Sequence, residues 1–200
     1  MDASKKKGAS RDTSTRREEL RSAAARVFAD KGYHGASMQD IADEIGILKG
    51  SLYHYVRSKD ELLHDVLIHL LDRGVSELER INALEVSPSE QLRLALRSIL
   101  ANFVNEPEPA RVFGHGMRSV LESSFPDVQE KARAYRELVA TIIEKGVTAG
   151  NFRPVDSRIA ALALLGMTGS VHYWYRPEGR LKPEEISDVL AQLVLQGLEK

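Results

Sequence analysis

Apolar residues recur with helical period along almost the whole chain, and nowhere does the apolar–polar alternation of a strand persist. Leu20, Ala24, Val27 and Phe28 make the first stripe, in a helix expected over residues 15–31 with Thr15 and Glu18 as its capping box and Gly32 as its stop. Ser37 and Asp40 open a short second helix that Gly46 closes, and Leu52 and Val56 are the buried pair of a third over residues 49–56. Ser58 and Glu61 begin a long fourth helix carrying Leu63, Val66, Leu67, Leu70, Leu71, Leu78 and Ile81.

Proline punctuates the rest. Pro88 starts a helix that Pro107 and Pro109 end, Pro126 starts one that runs to Gly150, and Pro183 starts the last. Asp156 caps an apolar helix over residues 157–175. About nine helices with short connections predict an all-α chain.

The 200 residues contain no cysteine, which removes disulfides, thiolate metal sites and cysteine nucleophiles and suits a reducing, cytoplasmic setting. No signal-peptide pattern opens the chain. The longest apolar stretch, residues 159–171, is interrupted by Gly166, Thr168, Gly169 and Ser170 and is too short to span a bilayer, so no membrane association is expected. His64 and His69 are five apart, off the spacing that puts two ligands on one helix face, and no phosphate-binding glycine loop occurs. We expect no enzyme, no metal and no cofactor.

Charge is unevenly placed. Residues 1–17 carry a net charge of +4 and the remainder −5, a basic end on an acidic body that suits a polyanionic partner. Three short helices with a glycine turn between the second and third have the layout of a helix-turn-helix module. The third presents Lys49, Gly50, Ser51, Tyr53, His54 and Tyr55 once Leu52 and Val56 are buried, and no carboxylate lies between Ile45 and Arg57. Cations, hydroxyls and imidazole there serve phosphates and base edges, and Gly50 allows close backbone approach.

The run from Phe28 to Leu62, FADKGYHGASMQDIADEIGILKGSLYHYVRSKDEL, resembles the DNA-binding domain of the TetR family of bacterial transcriptional regulators. The resemblance implies that residues 49–56 form a recognition helix in the major groove. It implies that Ser37, Tyr53 and Lys59 touch phosphates, and that Lys49, Gly50, Ser51 and His54 face bases or lie close to the backbone. Leu48 departs from the pattern, standing where the family commonly has a small hydroxyl residue that caps the recognition helix. The run HYWYRPEGRLKPEEISDVL, from His172, resembles a smaller group of these regulators that control fatty-acid or steroid breakdown and respond to acyl-coenzyme A thioesters.

The expected organisation is a flexible basic tail over residues 1–14, a helix-turn-helix domain over 15–59, and an effector-binding and dimerisation domain over 60–200. A palindromic double-stranded operator needs two copies of the reading domain, so a homodimer is expected. Trp174, Ile186, Leu190, Leu193 and Val194 are the candidate seam on family likeness, with intramolecular core as the other reading of the same apolar residues. Phe103, Phe113, Met117, Leu121 and Tyr135 are the candidate lining of an effector pocket, and Arg111, His115 and Arg118 the candidate partners of an anionic head group. The segment RVFGHGMR, residues 111–118, has two glycines and no helical stripe and is expected to be loosely packed. The expected activity is that of a ligand-responsive regulator, a repressor, in which the fourth helix moves the reading heads. The rival is a helical protein-interaction or DNA-binding module without a small-molecule effector.

Overall fold

The computed structural model describes residues 4–105, 107–114, 125–176 and 178–198. Its helices are α1 (Ser4–Gly35), α2 (Met38–Glu44), α3 (Lys49–Leu52), α4 (Lys59–Asn82) and α5 (Pro88–Asn105). They continue with α6 (Pro107–Gly114), α7 (Pro126–Thr148), α8 (Ser157–Gly169), α9 (Val171–Trp174) and α10 (Pro183–Leu198). No strand occurs among the described residues, as the periodicity requires.

Local chemistry sets most of the boundaries. Ser37 and Asp40 form the reciprocal capping box of α2. Gly46, at φ 68°, ends α2 in a Schellman turn, with Ile47 N–H donating to the Ala42 carbonyl and Gly46 N–H to that of Asp43. The Asp156 carboxylate accepts from the N–H groups of Arg158 and Ile159, each at 3.0 Å, and starts α8.

Four expectations are corrected. Helix α1 begins at Ser4, so Thr15 and Glu18 lie inside it and do not mark its start; no proline interrupts residues 4–31, and their lysines, arginines and alanines favour continuing the helix. Gly32, at φ 70°, does break the helical geometry, with a further turn following to Gly35. Helix α3 closes at Leu52, although bonds from Tyr55 and Val56 N–H to the Leu52 carbonyl keep the chain turning. Pro107 starts a helix instead of ending one, because a first-turn position needs no N–H donor, and Ala110 and Val112 on that helix are buried. The apolar helix expected over 157–175 divides at Ser170 into α8 and the single turn α9.

Two cores result. One joins Leu20, Phe28, Ile41, Leu52, Leu63 and Val66 of α1 to α4 with Val112 of α6 and Val128 and Ala132 of α7. The other joins the far half of α4 to α5, α7, α8 and α10 through Leu78, Leu96, Ile142, Leu164 and Leu195. Gln91, buried on α5, donates from its amide to the carbonyls of Ile81, Asn82 and Leu84 and so fixes the end of α4. Helices α4 and α7 approach closely where Gly74 meets the Tyr135 ring, 2.6 Å from where a Cβ would stand.

Phe152, 1% exposed, lies on Gly146 of α7 so closely that any side chain there would overlap its ring. Gly146→Ala is expected to lower the unfolding free energy by about 1–3 kcal/mol through overpacking, measured as a lower urea midpoint at unchanged m-value.

Candidate nucleic-acid interface

Ionic contacts tie α1 to α2 and to α4 and engage the nearby carboxylates. Lys31 donates to Asp40 at 2.6 Å, Arg26 to Glu44 at 2.7 Å, and the Gln39 amide to Asp43 at 2.7 Å. The Lys31 ammonium, with the Ser37 hydroxyl and N–H, holds the Asp40 carboxyl down to about 2. On α4, Glu61 accepts from the Arg57 N–H, Asp60 accepts from the Tyr33 hydroxyl, and Asp65 takes both arms of Arg17. Each acid named here is thus engaged within its own module, beside a reading surface that has none.

That surface presents Lys49, Gly50, Tyr53, His54, Tyr55 and Arg57, all exposed, with Ser51 half-buried. Leu52 and Val56 point the other way into the core. Tyr53 is 49% exposed, so its phenol is available to a partner, and the Arg16 guanidinium stands 6.0 Å from the Tyr55 ring. Around Gly50 nothing lies within 4 Å of an added Cβ. The fold has no steric need for glycine there, although glycine costs about 1 kcal/mol in a helix relative to alanine.

Two expected phosphate contacts have structural employment. The Lys59 ammonium donates to the carbonyls of Tyr33, 2.8 Å, and Ala36, 2.9 Å, and stands 4.3 Å from the centroid of the Tyr33 ring. It closes the end of α1 against the start of α4, leaving one of its three N–H donors. Burial, and then Asp60, push the Tyr33 phenol above its ordinary pKa, so it remains the donor in that cluster. The Ser37 hydroxyl is engaged with Asp40 at 2.7 Å.

The expected effector set divides. Tyr135 packs in the α4–α7 contact against Gly74 and touches both cores. Arg111 lies on α6, 3.8 Å from Glu108. The side chains of Phe103 and Phe113, and residues His115, Met117, Arg118 and Leu121 altogether, lie outside the described residues. Two surface depressions, of about 400 and 570 Å3, are lined by Thr141, Glu144 and Lys145 and by Thr15, Arg16 and Glu19 respectively, and include none of the expected effector residues.

The expected seam divides as well. Ile186 is 5% exposed and packs with Leu100 and Val171 inside the protomer, so it is core. Leu190 and Val194 are half-buried against the cores, whereas Leu193 is 58% exposed and Trp174 is exposed too. Ile159 and Leu162 on α8 and Val189 on α10, outside the expected set, are exposed as well. The signal was present in a helix apolar on both sides. Also unforeseen is the chain of contacts Arg17, Asp65, His64 and Asp127: His64 meets Asp127 of α7 at 2.6 Å and packs edge-on to Phe125. The His64 contact holds the Asp127 carboxyl below its ordinary range.

A three-helix unit whose third helix is acid-free, carried on an all-helical body, defines a helix-turn-helix regulatory protein. Residues 20–66 match the family of bacterial regulatory proteins described as tetR, and residues 85–198 match the tetracyclin repressor-like C-terminal domain. The chain belongs to the TetR family. It is 32% identical over 189 residues to the HTH-type transcriptional repressor KstR2 of Mycolicibacterium smegmatis, covering 92% of this chain and 91% of that one. The structure of the ketosteroid transcriptional regulator KstR2 of Mycobacterium tuberculosis superposes with a TM-score of 0.86 at 27% identity, covering 92% and 95% of the two chains. AibR in complex with isovaleryl coenzyme A and operator DNA superposes at 0.81, with 26% identity over 89% and 97%. KstR2 is named as a transcriptional repressor in the first organism and a transcriptional regulator in the second. Among the described residues no helix is long and apolar enough to cross a membrane, and no group of three or more His, Asp or Glu side chains is placed to hold a metal.

Lys59→Met removes both carbonyl contacts while keeping the stem. It is expected to lower unfolding free energy by about 1–3 kcal/mol, read as a lower thermal midpoint in the absence of DNA.

Proposed function

We propose that this chain is a cytoplasmic, ligand-responsive transcriptional repressor without enzymatic activity, binding a palindromic operator as a homodimer. The observation that carries this reading is the exposed, acid-free surface from Lys49 to Arg57, set beside a helix whose acids Asp40, Asp43 and Glu44 are engaged elsewhere. Lys49, Ser51, His54 and the phenol of Tyr53 supply donors to a duplex, while Ser37 and Lys59 serve chiefly to hold the reading unit in shape. Residues 15–59 form that unit, and 60–200 the effector-binding and dimerisation body.

The seam is the face shared by α8 and α10. Ile159 and Leu162 stand three residues apart on one helix, Val189 and Leu193 four apart on the other, and each pair is exposed. The opposite faces of the same helices, at Ala161, Leu164, Ala191 and Leu195, fill one core. Four helices, two from each protomer, then bury these residues across a two-fold axis, with Trp174 at the margin.

The effector is a small apolar molecule or an acyl-coenzyme A-type thioester, with Arg111 and Arg118 as the candidate partners of an anionic head group. AibR, a structural relative bound to isovaleryl coenzyme A, supports that class. Helix α6 enters the core beneath the reading unit through Val112, which connects this region to the reading heads. An effector that prefers one disposition of those heads must weaken or strengthen operator binding by the same coupling energy, typically about 1–3 kcal/mol.

Fluorescence anisotropy with a selected palindrome is expected to show tight binding whose affinity falls steeply with salt. Tyr53→Ala should weaken binding to every duplex, and His54→Ala should shift sequence preference as well. Sequence-indifferent binding with Tyr53→Ala unchanged would remove the proposal. Leu162→Asp with Leu193→Asp is expected to yield a folded monomer by light scattering and to weaken operator binding by about 100-fold or more. Isovaleryl coenzyme A is the first ligand to try in thermal melts, since preferential binding to the folded state raises the midpoint.

A further inference from the structure

Leu48 is the most exposed large apolar side chain on the reading unit, 80% accessible, and neither core contains it. It occupies the N-cap of α3 with extended backbone, φ −70° and ψ 140°, and its side chain caps nothing. Its carbonyl already serves the helix, accepting from Ser51 and Leu52 N–H. A serine or threonine there would keep that backbone geometry and add a hydrogen bond to the first turn. Leucine therefore lowers the stability of the free protein twice, by leaving a donor uncapped and by exposing apolar surface to water. Two positions on, Gly50 has open space where a Cβ would stand, so the surface beside Leu48 lets another molecule approach the backbone.

The N-terminal residues of a recognition helix are those that contact base edges, and the apolar group that the major groove offers is the C5-methyl of thymine. We infer that Leu48 is a specificity-determining residue that packs on a thymine methyl group in each operator half-site. The inference rests on the reading of the chain as an operator-binding dimer. The polar groups around Leu48 fix position through phosphates and base edges, and Leu48 selects thymine over cytosine by burying a methyl that cytosine lacks.

The test couples the side chain to the methyl group. A palindromic operator is first selected from random duplexes with the full wild-type chain. Each thymine and its symmetry mate are then replaced by deoxyuridine, which removes the C5-methyl and leaves every groove donor and acceptor in place. At one symmetric pair wild type is expected to lose affinity by about fourfold per half-site, roughly fifteenfold in all, the scale of one buried methyl-sized group. Leu48→Ser is expected to lose a similar factor on the thymine duplex and nothing more on the deoxyuridine duplex, while its thermal midpoint without DNA rises. Leu48→Met, still apolar, is expected to retain most of the thymine preference. If no thymine shows an effect that depends on residue 48, or if Leu48→Ser binds as tightly as wild type, the inference is overturned and operator binding stands. Failure to select any sequence overturns both the inference and the functional reading beneath it.

Discussion

The apolar cluster beneath the reading surface is assembled from two distant parts of the chain, and the rest of the molecule depends on it. Leu20, Phe28, Ile41, Leu52 and Leu63 come from the first four helices, but Val112, Val128 and Ala132 come from α6 and α7. A three-helix unit of this size buries too little apolar surface to be secure alone. Completing its core with residues of the body makes the unit stable and also makes its position answer to the body. Stabilisation and communication here are the same contacts.

Ionic contacts refine that arrangement. Arg17 takes Asp65 with two bonds from α1 to α4, and His64, the preceding residue of α4, reaches Asp127 at the start of α7. Partly exposed pairs of this kind contribute little to overall stability. Their value is directional, because they specify which face of α4 meets α1 and which meets α7, a choice that apolar packing leaves loose. The same logic operates around α2, where pairing Asp40 with Lys31 and Glu44 with Arg26 both orients the helix and neutralises carboxylates that would otherwise repel a polyanion.

Much of this was legible in the residues themselves. Caps at Ser37 and Asp156, the turn at Gly46 and the all-helical class follow from short-range chemistry, and short-range chemistry is what a sequence displays directly. The exposure of residues 49–57 was legible for a related reason, since only Leu52 and Val56 there follow the apolar stripe. What escaped were pairings across the fold. Nothing near Lys59 shows that its ammonium will find the carbonyls of Tyr33 and Ala36, more than twenty residues back. Ile186 and Leu193 sit on the same helix with similar side chains, and only the placement of α5 and α9 decides that the first is core and the second surface. Proline was misleading at Pro107 because the same residue stops one helix and starts another.

The corner between α4 and α5 has a mechanical meaning. Gln91 grips three carbonyls at the end of α4, and Asn82 adds a bond to the Leu138 carbonyl of α7, so that end of the rod is fastened to the body. The 24 residues of α4 make an arm about 36 Å long. Pivoting such an arm by about 5° at its fastened end sweeps the opposite end through about 3 Å, close to the 3.4 Å step between stacked base pairs. A displacement small enough to be absorbed by side chains in the body is therefore large enough to put a reading head out of step with its groove.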